Sequence, residues 1–515
     1  MNRAIHHPRF HILGPGGIGS LCAYYFHQHN IPFTLFHRKA PPFPPTPPPR
    51  GSRQSKSPSI DSSTTGHVAY PPTTLKYMNL TALDTASVAP QSIDGIEWEP
   101  LYPIIDKELF GYDPIYNDLS RSPIHQLLVT TKTYQTVEAL SKIRHRLRPW
   151  TTIVLMQNGM GVREEICESM GWTDNDWERP NFVQGVISHG AQKNGDTIIH
   201  TGKGLVWLAP VLDAVQSRRP KRPLASTSPV PRGSSGVSPT LEAFLAQGSK
   251  TIPDVNAMLQ VQETSNSDED SLEMKFPTLV RPASKDVRYA PYPYDTPATL
   301  SARFSDRPFS DFYTPPSSAE ELLALRTRSL YETLLAFQQL SDDMSLTLIR
   351  PDQLLAIQLS KLIVNASVNP IATLLESTNG EIVDNKETLQ AVKELLEESH
   401  AIMVQSPEYK ALDERLKSRF LTLDALTKTT IGIMEATKQN RCSTLQDYLN
   451  GSTQCEIDYM NGYFVKMAAR NAASAQAGDK LEGQRPVEAK LNKIVVEKVK
   501  EKFATAAASR SSTEK

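Results

Sequence analysis

Residues 10–20 read F-H-I-L-G-P-G-G-I-G-S, an apolar run that ends in a turn with spaced glycines. The run predicts a buried strand, and residues 21–29 predict a helix directly after the turn. Residues 31–36 predict a second strand, so strand, glycine-rich turn, helix and strand follow one another within about 30 residues. This order is typical of a βαβ unit in a parallel sheet, and its crossover should be right-handed.

Gly14, Gly16 and Gly19 give this turn the spacing G-x-G-x-x-G. Between a strand and a helix, the first glycine permits a tight turn and the second lets the backbone approach a pyrophosphate. The third lets the helix pack on the strand, and the N-terminus of that helix attracts an anion. The turn therefore predicts a dinucleotide site, and a glycine-rich turn with a purely structural role is the alternative.

The residues after the second strand indicate which dinucleotide is preferred. An Asp or Glu about 20 residues after the glycines would bind the ribose 2′-hydroxyl of NAD. This chain has His-Arg-Lys at residues 37–39 instead. Because the guanidinium of Arg38 suits a 2′-phosphate, the sequence favours NADP over NAD. An ordinary solvated basic pair is the alternative interpretation.

Strand and helix patterns alternate as far as residue 208 and extend the predicted parallel sheet. Strands are predicted at residues 126–130, 152–156 and 182–187, helices at 133–147 and 162–170, and a closing hairpin at 197–208. Two segments interrupt this pattern, residues 39–74 with P-P-F-P-P-T-P-P-P-R and residues 212–318 with runs such as S-N-S-D-E-D-S. Their Pro-rich, Ser-rich and charged composition predicts long disordered insertions.

Helical periodicity dominates the rest of the chain. Helices are predicted at residues 319–340, 351–375, 386–406, 412–437, 456–475 and 487–508, with a short strand at 345–349. We therefore predict an α/β dinucleotide-binding domain over residues 1–350 and an all-α C-terminal domain over residues 351–475. A C-terminal helix and a disordered tail are expected over residues 476–515.

Composition argues against several function classes. The 515 residues carry a formal net charge of −1, so no basic field indicates a nucleic-acid partner. No apolar run approaches the roughly 20 residues that span a bilayer, and no secretory h-region opens the chain, so no membrane is predicted. The four cysteines lack C-x-x-C spacing, which indicates neither disulfides nor a metal site. A cytoplasmic location is expected; the basic residues Arg3 and Arg9 make a mitochondrial one the alternative.

The second candidate site is the predicted helix that contains Q-L-S-K-L-I-V-N-A-S-V-N-P-I, residues 358–371. Lys361, Asn365 and Asn369 are spaced i, i+4 and i+8, so they share one narrow face of a helix that is otherwise apolar. Burying an ammonium and two amides is costly unless they meet partners or a wet cleft, so the stripe predicts a site for a polar ligand. In the alternative, the lysine reaches the surface and the amides bond to backbone.

Lys132 and Asn158 each end a predicted strand, and Gly159 follows the second of them. Ligands of open α/β sheets bind outside the carboxyl ends of strands, so both side chains should face the crevice. A surface lysine and a turn asparagine are the alternatives. Glu456 opens a helix of the second domain, where it could equally cap that helix.

At this point several stretches agree, in order, with one family. The stretches are G-P-G-G-I-G with Arg38, L-V-T-T-K-T-Y-Q, L-M-Q-N-G-M-G, G-V-I-S-H-G-A with I-I-H-T-G-K-G, K-L-I-V-N-A-S-V-N-P-I with N-G-E-I, and S-T-L-Q-D with E-I-D-Y-M-N-G. They resemble the ketopantoate reductases. The resemblance covers residues 9–210 and 320–475, less the first insertion. It implies a Rossmann-type domain joined to a helical domain, with NADPH and a small 2-oxo acid in the cleft between them.

Residue roles follow from that resemblance, motif by motif. The implied NADPH contacts are Gly14, Pro15, Gly16, Gly17, Ile18, Gly19, Arg38, Lys132, Asn158, Ala191 and Glu456. The implied substrate contacts are Asn158, Lys361, Asn365, Asn369, Asn379 and Ser443. Lys361 would be the catalytic lysine, with Glu456 the second catalytic residue, closing the site from the helical side. No metal is implied.

The implied reaction is reduction of 2-dehydropantoate to (R)-pantoate on the route to coenzyme A. Negative charge develops on the carbonyl oxygen, and Lys361 can stabilise it and deliver the proton if desolvation and a nearby carboxylate tune its pKa. A reductase of another branched 2-oxo acid is the near alternative. A catalytically inactive nucleotide-binding scaffold is the distant one. The sequence leaves a homodimer open, and also protein partners for the insertions.

Overall fold

The computed structural model describes residues 9–37, 73–79, 90–101, 123–173, 179–211, 319–476 and 485–513. Both predicted insertions lie largely outside these ranges, and so does Arg38. Within them the chain forms an α/β domain followed by a helical domain, as the sequence predicts.

The described residues of the first domain form twelve strands, which position the residues of the site. They are β1 (Phe10–Leu13), β2 (Phe33–His37), β3 (Thr73–Asn79), β4 (Gln91–Ile96), β5 (Trp98–Pro100), β6 (Ile124–Val129), β7 (Leu147–Leu155), β8 (Asn181–Ile187), β9 (Gly190–Asn194), β10 (Thr197–Gly202), β11 (Val206–Pro210) and β12 (Leu346–Leu348). Eight of them form one sheet in the order β12-β11-β8-β7-β6-β1-β2-β5, parallel except where β11 meets β8.

The turn after β1 lies where the strand order changes direction. Phe10 is in register with Phe33 of β2 on one side and with Gln126 of β6 on the other, both parallel. Successive strands therefore run outward from β1 in both directions, which leaves a crevice at the carboxyl ends of β1 and β6. The glycine turn thus opens into the place where open α/β sheets bind ligands.

Helices cover both faces of this sheet. They are α1 (Gly17–Gln28), α2 (Thr136–Ile143), α3 (Val162–Met170), α4 (Ala319–Gln338) and the short α5 (Ser341–Met344). The core on one face joins α1 and α4, where the rings of Phe10, Phe26 and Phe337 pack edge to face or tilted with centroids 4.8–5.7 Å apart. The core on the other face joins α2 and α3. Residues on both sides of the second insertion therefore build one domain.

A second sheet, in the order β4-β3-β10-β9, differs from the sequence prediction. The hairpin expected at residues 197–208 is wrong, because β10 pairs antiparallel with β9 and β11 joins the main sheet. Gly195, with φ of +59°, makes the tight β9–β10 turn. Strands β3 and β4 were missed. Among their side chains whose burial the structure describes, Leu75, Tyr77, Ile93 and Ile96 are the buried ones, so each strand has few apolar residues to predict it.

The second domain is helical throughout its described residues. Its helices are α6 (Pro351–Leu375), α7 (Asn379–Val383), α8 (Lys386–Met403), α9 (Pro407–Lys410), α10 (Glu414–Phe420), α11 (Leu423–Ala436), α12 (Ser443–Leu449), α13 (Asn461–Gln476) and α14 (Lys490–Thr513). The single helix expected over residues 412–437 is two, because Leu421 is fully buried between them and Thr422 caps α11 by accepting from the amide of Ala425.

Helix α6 is the centre of this domain. By length and composition alone it could cross a bilayer, contrary to the expectation that no apolar run is long enough. However, 61% of its most apolar window is buried inside the protein, as in the core helix of a globular domain. Helix α14 packs on α6 and α13, and its amides at Leu491 and Asn492 donate to the carboxylate of Glu398. The C-terminal helix is thus part of the same core.

Two buried histidines join the main sheet to the second one. Nε2 of His189 donates to the Met344 carbonyl at 2.8 Å, and Nδ1 of His189 lies 2.9 Å from Nε2 of His200. Nδ1 of His200 is 3.1 Å from the Tyr77 hydroxyl. Burial lowers the pKa of both rings, that of His200 to about 4, so both are neutral at pH 7.

This pair should make stability depend on pH. An unfolded histidine titrates near pH 6.5, so as pH falls the unfolded chain binds protons before His200 does, and stability decreases between pH 6.5 and 4. From pH 7 to pH 5 we expect wild type to lose about 2 kcal/mol more free energy of unfolding than His200→Gln. Urea unfolding at both pH values measures this. Equal losses in the two proteins would contradict the prediction.

Candidate functional site

The glycine turn between β1 and α1 is shaped by two different constraints. Gly14 has φ of +98°, and a Cβ there would stand 2.5 Å from the amide nitrogen of Thr131, so the turn itself requires glycine. A Cβ on Gly16 would meet nothing within 4 Å. Packing within the described chain therefore does not explain Gly16, whereas the approach of a ligand to the backbone would.

Strand β9 lies directly against this turn. A Cβ on Gly17 would collide with the carbonyl of Ala191, so strand and helix start are in close backbone contact. Nζ of Lys193, two residues further along β9, donates to the carbonyl of Pro15 at 3.0 Å. Ile18 packs partly buried against the core on this side, and a Cβ on Gly19 would collide with the carbonyl of Gly14. All six residues of the predicted turn thus form one cradle edged by β9.

Lys361 projects from α6 to the carboxyl ends of the strands. Its ammonium donates to Oδ1 of Asn158 at 3.2 Å and to the carbonyl of Ile187 at 2.5 Å. Burial lowers the pKa of Lys361 to about 8, while the charge of Glu456 acts in the opposite direction. The lysine of the helical domain therefore meets the ends of β7 and β8 across the cleft, and it is close to its titration point at neutral pH.

Glu456 closes the cleft from the helical side. It begins a 3-10 turn, Glu456–Tyr459, and its side chain is only 4% exposed. One of its oxygens, Oε1, accepts from the amide of Thr133 at 3.1 Å and from the hydroxyl of the same residue at 2.8 Å. Its carboxylate therefore caps the segment after β6 rather than its own helix, and it acts electrostatically on Lys132 and Lys361 together.

A close backbone contact keeps the two domains in register beside Glu456. Gly159 has φ of +81°, and a Cβ there would stand 2.5 Å from the carbonyl oxygen of Tyr459. That carbonyl accepts from the amide of Met160 at 2.9 Å. The glycine after Asn158 is therefore required by the domain contact as well as by the turn.

Lys132 forms a second bridge across the cleft. Its ammonium lies 2.7 Å from the carboxylate of Asp447 on α12. Burial alone would lower the pKa of Lys132, but the carboxylates of Glu456 and Asp447 outweigh it and raise the pKa. Burial raises the pKa of Asp447, and Lys132 offsets part of that rise. On the other side of the glycine turn, Gln192 of β9 donates to Gln446 of α12 at 3.3 Å.

The remaining predicted residues lie along α6 and the elements that pack on it. Asn365 is half-buried, and Asn369 is buried with its amide nitrogen 3.6 Å from Sδ of Met460. The thiol of Cys442 donates to the carbonyl of Asn369, which brings the exposed Ser443 at the start of α12 beside the stripe.

Asn379 opens α7 and faces α11 rather than Lys361. Its amide nitrogen donates to the Thr437 hydroxyl at 2.8 Å. Its Oδ1 is buried and has no hydrogen-bond partner among the residues that the structure describes. A free buried acceptor suits a ligand hydroxyl, so the substrate role of Asn379 stays a prediction.

The structure brings most of the predicted residues to one cleft and adds others. Lys132, Asn158, Lys361 and Glu456 meet there, whereas Arg38 lies outside the described residues. Thr133, Asp447 and the Ile187 carbonyl were missed. Asp447 is the last residue of the motif S-T-L-Q-D, so the sequence analysis quoted this residue but assigned no role to it.

A glycine turn at the switch point of a parallel sheet, facing a half-buried lysine on a helical domain, is typical of a two-domain dinucleotide-binding protein. Two family models match the chain: "Ketopantoate reductase PanE/ApbA" over residues 106–212 and "Ketopantoate reductase PanE/ApbA C terminal" over residues 353–479. The chain belongs to the ketopantoate reductase family.

Curated relatives agree with these matches. The chain is 45% identical over 84 residues to a 2-dehydropantoate 2-reductase of Saccharomyces cerevisiae, which is 16% of this chain and 22% of that protein. It is 24% identical over 362 residues to a Schizosaccharomyces pombe protein named "Probable 2-dehydropantoate 2-reductase", 70% of this chain and 72% of that protein. Thus the first match spans about a fifth of the relative's length and the second nearly three quarters.

Solved structures of similar proteins were also found. A 2-dehydropantoate 2-reductase from Geobacter metallireducens aligns over 96% of this chain and 99% of its own, with 13% identity and a TM-score of 0.49. A dimeric ketopantoate reductase from Staphylococcus aureus aligns over 97% and 99%, with 12% identity and a TM-score of 0.48.

Proposed function

We propose that this protein reduces 2-dehydropantoate to (R)-pantoate with NADPH, and that Lys361 is the general acid. The observation that carries the proposal is the position of the Lys361 ammonium. It lies between Asn158 and the Ile187 carbonyl at the carboxyl ends of β7 and β8, within reach of the charge of Glu456.

The residues of the first domain fit a dinucleotide. The open space at Gly16, the close contact of Gly17 with Ala191 and the N-terminus of α1 together form a cradle for a pyrophosphate. No acidic residue lies in the first turn of α1 to repel that anion. Gly14 to Gly19 and Ala191 would hold the cofactor. When bound, it would supply the hydride for the ketone.

Lys361 supplies what the developing alkoxide needs. A lysine whose pKa is about 8 is largely protonated at pH 7 and still close enough to its titration point to give up a proton readily. Its ammonium can therefore stabilise the negative charge on the substrate oxygen and then protonate it. Asn158 and the Ile187 carbonyl hold the amine in position, because both accept hydrogen bonds from it.

The amides of the stripe orient the substrate. Asn365 and Asn369 follow Lys361 at one-turn intervals along α6, so they extend a polar track from the amine. The amides of Asn365 and Asn369 and the Ser443 hydroxyl can bind the carboxylate and hydroxyl of a hydroxylated 2-oxo acid. The buried Oδ1 of Asn379, which faces α11, would accept only from a substrate hydroxyl. Misplacement of the ketone by about 1 Å is costly in such reactions, which gives this track its importance.

Gly16 offers a direct test of the cofactor cradle. The backbone of Gly16, with φ −78° and ψ −159°, accepts any L-residue, and its Cβ would point into open space. We expect Gly16→Val to raise the Kd of NADPH at least about tenfold, because the side chain would occupy the path of the pyrophosphate. The free energy of unfolding without ligand should change by less than about 1 kcal/mol. Unchanged NADPH affinity would contradict the cradle.

The activity itself is tested by following NADPH oxidation at 340 nm with 2-dehydropantoate and with a panel of branched and unbranched 2-oxo acids. We expect kcat/KM to be highest for 2-dehydropantoate. A higher value for another branched 2-oxo acid would transfer the proposal to that substrate. NADPH binding without turnover of any oxo acid would favour the inactive scaffold.

A further inference from the structure

Strand β9 runs along the glycine turn from the reacting end of the cleft towards β2. The Ile187 carbonyl, which accepts from Lys361, ends the strand just before it. Ala191 then contacts Gly17, and Lys193 contacts Pro15. Ala191 and Lys193 are two residues apart on one strand and so share a face. This face follows the direction in which a dinucleotide would lie, from nicotinamide to adenosine.

Lys193 lies at the adenosine end of that path. The end of β2 and the first residues of the glycine turn flank the adenosine ribose in folds of this kind. Nζ of Lys193 is bonded to Pro15 in the turn, and its charge acts on His37, the last residue of β2. The ammonium is therefore situated between the two segments that bracket the ribose.

The surroundings leave this ammonium with unused binding capacity. An ammonium has three donors, and among the described residues the Pro15 carbonyl is its one hydrogen-bond partner. Burial lowers the pKa of Lys193, which the charge of Asp196 partly offsets. Asp196 itself forms an ion pair with Lys76, whose Nζ lies 3.5 Å from Oδ2 of the carboxylate. The Nε2 atom of His37 is also buried and has no partner in the described part of the chain.

We propose that Lys193 binds the 2′-phosphate of NADPH and so contributes to the preference for NADPH over NADH. This inference rests on the dinucleotide part of the proposed function. A phosphate would complete the hydrogen bonding of the partly desolvated ammonium, and charge-assisted bonds of this kind are strong. Lys193 would act from β9, 178 residues beyond its partner Pro15, in addition to any contact from Arg38.

The test compares dinucleotides that differ only in the 2′-phosphate. Kd values of NADPH and NADH are measured by fluorescence titration for wild type, Lys193→Met and Lys193→Arg, and those of adenosine 2′,5′-bisphosphate and 5′-AMP by calorimetry. Lys76→Met is the matched control, since Lys76 lies on the same sheet but pairs with Asp196 away from the turn.

We expect Lys193→Met to raise the Kd of NADPH and of adenosine 2′,5′-bisphosphate about tenfold, with NADH and 5′-AMP changed less than about twofold. Lys193→Arg should retain NADPH binding, and Lys76→Met should behave as wild type. Equal losses for NADPH and NADH would overturn the proposal, because Lys193 would then act on the shared part of the cofactor or on the fold. Unchanged NADPH affinity would overturn it too.

The outcomes separate this inference from the proposed function. A wild type that binds NADPH but reduces no oxo acid would refute the reductase activity and leave the assignment of Lys193 standing. A wild type that binds neither dinucleotide, or that prefers NADH, would overturn the assignment of Lys193.

Discussion

Replacement of Lys361 by alanine should lower kcat for 2-dehydropantoate at least about a hundredfold, while the Kd of NADPH changes less than about threefold. The structure holds this amine between the ends of β7 and β8, where burial lowers its pKa to about 8. Removing it takes away both the charge that stabilises the alkoxide and the proton that neutralises it. Stopped-flow NADPH oxidation at saturating substrate measures the effect on kcat.

Two further variants show whether a loss of activity in Lys361→Ala comes from the missing amine or from a loss of folding. Lys361→Met keeps nearly the length of the half-buried side chain and should lose the same activity, with thermal unfolding close to that of wild type. Lys466→Ala removes an exposed lysine of α13, which lies 5.9 Å above the Tyr459 ring, and should retain full activity. An essentially active Lys361→Ala variant would refute the assignment of the general acid.

Replacement of Glu456 by glutamine should lower kcat at pH 7.5 about tenfold or more and shift its pH dependence. The amide keeps an acceptor for the Thr133 amide and hydroxyl, so the domain contact should survive. The variant loses the negative charge of Glu456, which raises the pKa of Lys361 and so opposes the effect of burial. In wild type, kcat should fall as pH rises through about 8, because Lys361 loses its proton.

In Glu456→Gln the pKa of Lys361 should be lower, so this alkaline limb should move to lower pH. A kcat–pH profile measured from pH 5.5 to 9.5 tests the shift. Asp458→Asn is the matched control, since Asp458 lies in the same 3-10 turn but is half-exposed and pairs with Lys500 at 2.7 Å. A limb at the same pH in wild type and Glu456→Gln would show that the carboxylate does not tune the lysine.

Local patterns predicted the elements that carry the site. The glycine spacing needs only six consecutive residues to specify strand, turn and helix, and the structure has β1 and α1 there. The stripe of Lys361, Asn365 and Asn369 follows from helical periodicity within one segment, and α6 forms over it. Strands β3 and β4 escaped prediction because they bury one face against β10 and each other, which leaves few apolar residues in either sequence.

The sequence by itself determined the class of fold, the glycine turn and the lysine helix, because each depends on interactions between residues close in the chain. Only the tertiary structure decided what faces them. Lys132 meets Asp447 across 315 residues, Thr133 meets Glu456 across 323, and Lys193 reaches Pro15 across 178. No local pattern encodes such pairs, because the packing of one domain on the other brings them together and sets the burial that shifts their pKa values.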